Sequence, residues 1–209
     1  MKIGVIDYGM GNLFSVEQAL KRLDCEVIVT SDVNELRVAD ALVLPGVGAF
    51  PDAMKRLQET NLIPFIHEMH AAKKPLLGIC LGMQLLFEES DEVTPTKGLG
   101  IFKGRIERFQ NVSRIPHMGW NELVLTQVPY WLKSETAPKD QFVYFVHSFY
   151  ATHMEQQQLV AFADYEGLEV PGIVASGSFT GMQFHPEKSG QYGVYLLTQW
   201  LKGVGELVC

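Results

Sequence analysis

Leu76-Leu77-Gly78-Ile79-Cys80-Leu81-Gly82-Met83-Gln84 packs the end of a strand, a sharp turn and the start of a helix into one short stretch. The apolar run Pro75–Ile79 reads as a buried strand and Leu81–Glu89 as a helix. The Gly-x-Cys-x-Gly between them is the pattern of a nucleophile elbow, where the tip residue sits on a strained turn and glycines admit the neighbouring chain. A cysteine at that tip faces the positive end of a helix, which favours its thiolate, and the N–H of Leu81 is placed to meet an oxyanion. A buried structural cysteine at a strand end would be written with the same letters, since free cysteine is among the most buried residue types.

Upstream, short β-branched runs alternate with helical patterns. Ile3–Ile6, Glu26–Thr30 and Ala41–Pro45 read as strands, and Ser15–Leu23, Asp52–Glu59 and Leu62–Ala72 as helices. This alternation predicts βαβ crossovers and an α/β fold: an open, mostly parallel twisted sheet with helices on both faces. After about residue 95 the pattern becomes successive strands, Gly100–Phe109, Phe142–Tyr150, Leu159–Tyr165, Val174–Phe179 and Gly181–His185. Turn residues separate them, so an antiparallel C-terminal extension is expected, closed by a helix over Gln191–Leu201. The Pro- and charge-rich stretch 109–140 gives no clear pattern.

The chain has 209 residues, enough for one good-sized core without disulfides or metals, and 47% of them are hydrophobic, which excludes disorder. A net charge of −7 leaves no diffuse positive field for nucleic acid. Cys25, Cys80 and Cys209 are odd in number and widely spaced, so neither a disulfide framework nor a metal site is expected, and a reducing cytoplasm is the natural setting. No signal peptide or membrane span is apparent.

A thiol nucleophile needs a base, and the base an orienting partner. Phe184-His185-Pro186-Glu187 supplies both, because residues two apart in extended chain share a side, so Glu187 can accept from His185. Cys80, His185 and Glu187 then form a triad of nucleophile, base and orienter at strand C-termini. Leu44-Pro45-Gly46-Val47-Gly48 is a second strand-end loop whose glycines allow close approach to a ligand, although Pro-Gly is also a routine turn. Competing motifs fail. Gly9-Met10-Gly11 lacks the third glycine of a dinucleotide site, no phosphate-cradling loop occurs, and His67 and His70 have no further metal ligands nearby.

Gly78–Gln84 and Gly181-Met182-Gln183-Phe184-His185-Pro186-Glu187 resemble the class I, triad-type glutamine amidotransferases. Asp7-Tyr8-Gly9-Met10-Gly11-Asn12-Leu13, the Pro45–Gly48 loop, Pro116-His117-Met118-Gly119-Trp120-Asn121, Tyr144–Ser148 and Glu187-Lys188-Ser189-Gly190 narrow the resemblance to the glutaminase subunits of imidazole glycerol phosphate synthases. The blocks run in order from end to end.

The resemblance implies a flavodoxin-like fold over one domain, residues 1–209, and hydrolysis of glutamine through a Cys80 thioester without a cofactor. It implies oxyanion donors from Gly46, Val47, Gly48 and Leu81, and glutamine contacts from Gln84, His147 and Ser148. It also implies a cyclase partner subunit, a (β/α)8 barrel in a heterodimer, met near Asn12, Met118, Trp120 and Lys188. The family usually has tyrosine where Phe149 stands. Because the oxyanion loop is glycine-rich, the free chain is expected to be a poor glutaminase whose loop is ordered by the partner. Amidotransferases of other pathways, a γ-glutamyl hydrolase or cysteine peptidase, and a non-catalytic subunit remain open on sequence alone.

Overall fold

Period-two alternation along the central strands sends neighbouring side chains to opposite faces of one sheet. Ile3, Val5, Ala41, Val43, Leu77 and Ile79 enter one core, while Ile6, Leu42, Leu44 and Leu76 enter another on the far side. Both faces are therefore apolar, as a parallel sheet covered by helices requires. The structure is a computed structural model and describes residues 1–132 and 137–208. Cys209 and residues 133–136 of the Pro- and charge-rich stretch lie outside the described residues.

The parallel half comprises β1 (Lys2–Ile6), α1 (Leu13–Lys21), β2 (Glu26–Thr30), α2 (Val33–Arg37), β3 (Ala41–Gly46), α3 (Phe50–Glu59), α4 (Leu62–Ala71), β4 (Leu76–Cys80) and α5 (Leu81–Gln84). Asn12 caps α1 through Ser15 N–H, and Val16 and Leu20 bury its inner stripe. In α3 the buried stripe is Phe50, Ala53, Met54 and Leu57, the spacing of one helix face. The remaining elements of the described residues are β5 (Glu89–Ser90), β6 (Thr96–Lys97), β7 (Arg105–Arg108), β8 (His117–Glu122), β9 (Val124–Leu125), β10 (Phe142–His147), β11 (Phe149–Thr152), β12 (Leu159–Tyr165), β13 (Leu168–Ser176), β14 (Phe179–Met182), α6 (Gly190–Val208) and the 3-10 turns Gln156–Gln158 and Pro186–Lys188.

Among the described residues the main sheet has eight strands in the order β2-β1-β3-β4-β14-β13-β12-β9. Pairings from β2 to β14 are parallel, and those beyond β14 are antiparallel. The expected α/β sheet with its antiparallel extension is therefore present, but the extension is divided. Part of it continues the main sheet, β10 pairs with β8 as a ribbon, and β11-β7-β5-β6 form a third sheet.

Several boundaries differ from the sequence reading. The helix expected over Leu81–Glu89 stops at Gln84, because Leu86 and Phe87 turn back to bond Met83 and Gln84 carbonyls. Phe142–Tyr150 breaks at Ser148, where the chain leaves one sheet for another. Val174–Phe179 spans a hairpin turn containing Gly177 (φ +58°), so its ends belong to β13 and β14. The strand expected over Gly181–His185 begins at Phe179 and ends at Met182. The unpatterned stretch holds β8, whose alternating buried and exposed residues span only six positions.

Candidate active site

Three neighbouring strands end together: β3 is paired with β4 as far as Gly46 opposite Cys80, and β14 with β4 as far as Met182 opposite Ile79. The Gly46–Gly48 loop thus flanks Cys80 on one side and the Gln183–Glu187 segment on the other. Cys80 adopts φ +54° and ψ −113°, a conformation rare for a residue with a Cβ and of the strained kind found at functional turns. Its glycine neighbours are required sterically. A Cβ on Gly82 would lie 1.8 Å from the Leu44 carbonyl oxygen, and one on Gly78 would lie 2.8 Å from the Gly82 oxygen and the Met83 nitrogen. Because α5 has only four residues, the thiolate gains less from an aligned helix dipole than a helix to Glu89 would give.

His185 and Glu187 are joined by an Nδ1···Oε1 hydrogen bond of 2.8 Å between side chains that are almost wholly buried. Burial pulls the His185 pKa down, but hydrogen bonds to Cys80 and Glu187 and their negative charges outweigh it and push the value up to about 9. His185 therefore holds a proton more readily than a free imidazole and lies against the sulfur, where a base is needed. Ser189 braces this segment: its hydroxyl donates to the His185 carbonyl at 2.7 Å and accepts from Tyr144 N–H at 2.9 Å.

A cavity of about 370 Å³ opens over the sulfur, lined by Val47, Gly48, Leu81, Gln84, His147, Ser148, His185 and Lys188 together with Cys80. Glu92, Val146 and Phe149 line it too, without having been expected to. Glu92 Oε2 accepts from Phe50 N–H at 2.8 Å, and burial raises its carboxyl pKa. In sequence it sits in an acidic run that looks like a solvated loop, and only the three-dimensional return of the chain brings it here. His147 donates Nδ1–H to the Phe149 carbonyl at 2.8 Å, and burial depresses its pKa to about 3. Phe149, where the resembled family has tyrosine, thus presents its backbone oxygen to the site.

Gly46 lies behind the cavity, pressed between the Tyr8 hydroxyl and the start of α5. Tyr8 is buried and its hydroxyl donates to the Pro45 carbonyl at 2.8 Å, pinning the base of the loop. Asn12, Met118 and Trp120 do not line the cavity. Asn12 is occupied capping α1, whereas Met118 and Trp120 are 54% and 53% exposed on the outer face of β8. A larger cleft of about 730 Å³ between α3, α4 and Pro95–Gly98 contains none of these groups. Among the described residues no three His, Cys, Asp or Glu side chains gather as a metal site would need, and no helix is long and apolar enough to cross a membrane.

The family model described as glutamine amidotransferase class-I matches residues 4–202. The imidazole glycerol phosphate synthase subunit HisH of Shouchella clausii (strain KSM-K16) is 53% identical over 212 residues, covering 99% of this chain and 98% of that protein. The HisH subunit of Geobacillus kaustophilus (strain HTA426) is 47% identical, with 95% of each chain covered. Among solved structures, one described as a glutamine amidotransferase superposes with a TM-score of 0.75 at 20% identity, covering 97% of this chain and 98% of that one. The structure of PurLQS from Thermotoga maritima does so with 0.75 at 18% identity and the same coverage, a likeness of fold.

Proposed function

This chain belongs to the class-I glutamine amidotransferase family, and from that premise we propose that it is the glutaminase subunit of an imidazole glycerol phosphate synthase, working in the cytoplasm. The observation that carries the reading is the junction of a strained Cys80, a buried His185 held by Glu187, and a glycine-containing loop around one cavity.

His185 takes the proton of the Cys80 thiol as the sulfur attacks the side-chain amide carbon. The resulting oxyanion is met by Leu81 N–H and the Gly46-Val47-Gly48 loop. Collapse transfers the His185 proton to the departing nitrogen, giving ammonia and a γ-glutamyl thioester. Neutral His185 then takes a proton from water as it attacks the thioester, and a second collapse releases glutamate and returns a proton from His185 to the sulfur. Gln84, His147 and Ser148 hold the substrate, and the Glu92 carboxylate is suited to its α-ammonium group.

Ammonia released into neutral water is mostly protonated and loses its nucleophilicity, so it must pass directly to a second active site. The relatives are named as subunits of a synthase, and the partner proposed here is its cyclase, a (β/α)8 barrel docked over Met118, Trp120 and Lys188. Asn12 serves that face by shaping the turn that leads into α1. Turnover of glutamine and of a γ-glutamyl peptide, each with the cyclase subunit present, tests the assignment. Glutamine hydrolysis coupled to imidazole glycerol phosphate formation is expected, whereas preference for the peptide would overturn it.

A further inference from the structure

The sulfur of Cys80 has a second neighbour besides His185. Gln183 follows β14 directly, and the parallel register that sets Met182 beside Ile79 brings the next residue beside Cys80. Its backbone is fixed by an N–H bond to the Gly172 carbonyl at 2.9 Å, and its side chain is fully buried. Gln183 Nε2 lies 3.9 Å from Cys80 Sγ in donating geometry.

Which end of that amide faces the sulfur is decided two residues away. The Phe149 carbonyl can only accept, so the side-chain group of Gln84 that lies 2.9 Å from it is the NH2. The other hydrogen of the same nitrogen meets Gln183 at 2.9 Å, which requires Gln183 to present its oxygen there. Its nitrogen is thereby left pointing at Cys80. Gln84 is itself 4% exposed and its bond to Gln183 is buried, away from water, where hydrogen bonds to a charged group are strengthened.

We propose that Gln183 is a further catalytic residue, whose amide N–H donates to the Cys80 sulfur and stabilises its thiolate, and that Gln84 and the Phe149 carbonyl fix its orientation. The inference rests on the reading of Cys80 as the nucleophile. It gives Gln84 a second task beside substrate contact, and it explains why the relay engages the backbone of Phe149.

The test is the pH profile of Cys80 alkylation by iodoacetamide, followed on the Cys80 peptide by mass spectrometry in the full chain with its cyclase partner. The titratable groups around the sulfur are His185 beyond β14, Tyr8 beyond β1, and Glu92, His147 and Lys188 across the cavity. All are retained in the variants. Gln183→Met keeps the shape without the donor, and Gln84→Met removes the donor that orients Gln183 without adding a charge, so that the amide is no longer held with its nitrogen toward the sulfur. Both are expected to move the profile to higher pH by about one unit, a roughly tenfold slower alkylation at pH 7. An unmoved profile in either variant, with the chain folded by circular dichroism, overturns the proposal. Failure of the underlying reading would look different: wild-type glutamine turnover by Cys80→Ala.

Discussion

Replacing Gly82 with alanine should disable the elbow without touching a catalytic side chain. The new methyl would sit 1.8 Å from the Leu44 carbonyl oxygen, while real Cβ contacts essentially never fall below 3.0 Å. Both sides of the clash are backbone, in β3 and at the start of α5, so no side chain can swing away. The two elements must part by about 1 Å or more, and overpacking of this kind costs about 1–3 kcal/mol. For a chain of this size that corresponds to a Tm lowered by roughly 3–10 °C. The same displacement separates the β3 loop from Cys80, and a misplacement of about 1 Å costs on the order of 100-fold in rate. Melting followed by circular dichroism and steady-state glutamine hydrolysis would read the two effects. Gly205→Ala, inside α6 with the nearest atom 3.6 Å from the new methyl, is the control and should leave kcat unchanged without lowering Tm. Wild-type Tm and kcat in Gly82→Ala would refute the steric reasoning.

Tyr8→Phe removes only the hydroxyl that holds the Pro45 carbonyl, leaving a buried acceptor unpaired at about 1–3 kcal/mol. A reduced kcat of about tenfold with little change in KM is expected, and an unaltered kcat would show that the loop needs no such anchor. Glu92→Gln retains an acceptor for Phe50 N–H but loses the charge facing the cavity. KM for glutamine should rise about 10- to 100-fold with kcat within threefold, the loss of one charge-assisted bond. A fall in kcat alone would argue against contact with the α-ammonium. His147, neutral in the fold with its pKa depressed to about 3, takes up its proton in the unfolded chain near pH 6.5. Its contribution is intact above pH 6.5 and is lost as pH falls toward 3, reaching about 2 kcal/mol by pH 5. Denaturant titrations at pH 7 and pH 5 on wild type and His147→Phe measure this, and the variant should show the weaker dependence.

The strand–elbow–helix stretch announced the sheet and the proposed nucleophile because strand period, glycine sterics and turn geometry are all local. His185 and Glu187 were legible from their spacing, although they meet across a 3-10 turn over Pro186–Lys188 and not in the extended chain expected. Gln183 lies in the Gly181–Glu187 stretch yet carries no local signal, since its meaning comes from the β4–β14 register. Glu92 was masked because an acidic loop and a capping, cavity-facing carboxylate share one sequence appearance. The ribbon strand β8 is hard to see for a related reason: among the described residues it has one strand partner, β10, and only a short alternation to betray it. The α5 helix was over-extended because Leu85, Leu86 and Phe87 are apolar enough to continue it, whereas tertiary packing buries them in a turn.

Cys80→Ala, assayed with the cyclase subunit for synthesis from glutamine and, separately, from added ammonia, is the most direct measurement of the central claim. Loss of glutamine-dependent synthesis with ammonia-dependent synthesis retained is expected, because the substitution removes the nucleophile and leaves the partner's chemistry intact. Retained synthesis from glutamine, or loss of both activities in a folded complex, would contradict the division of labour between this chain and its partner.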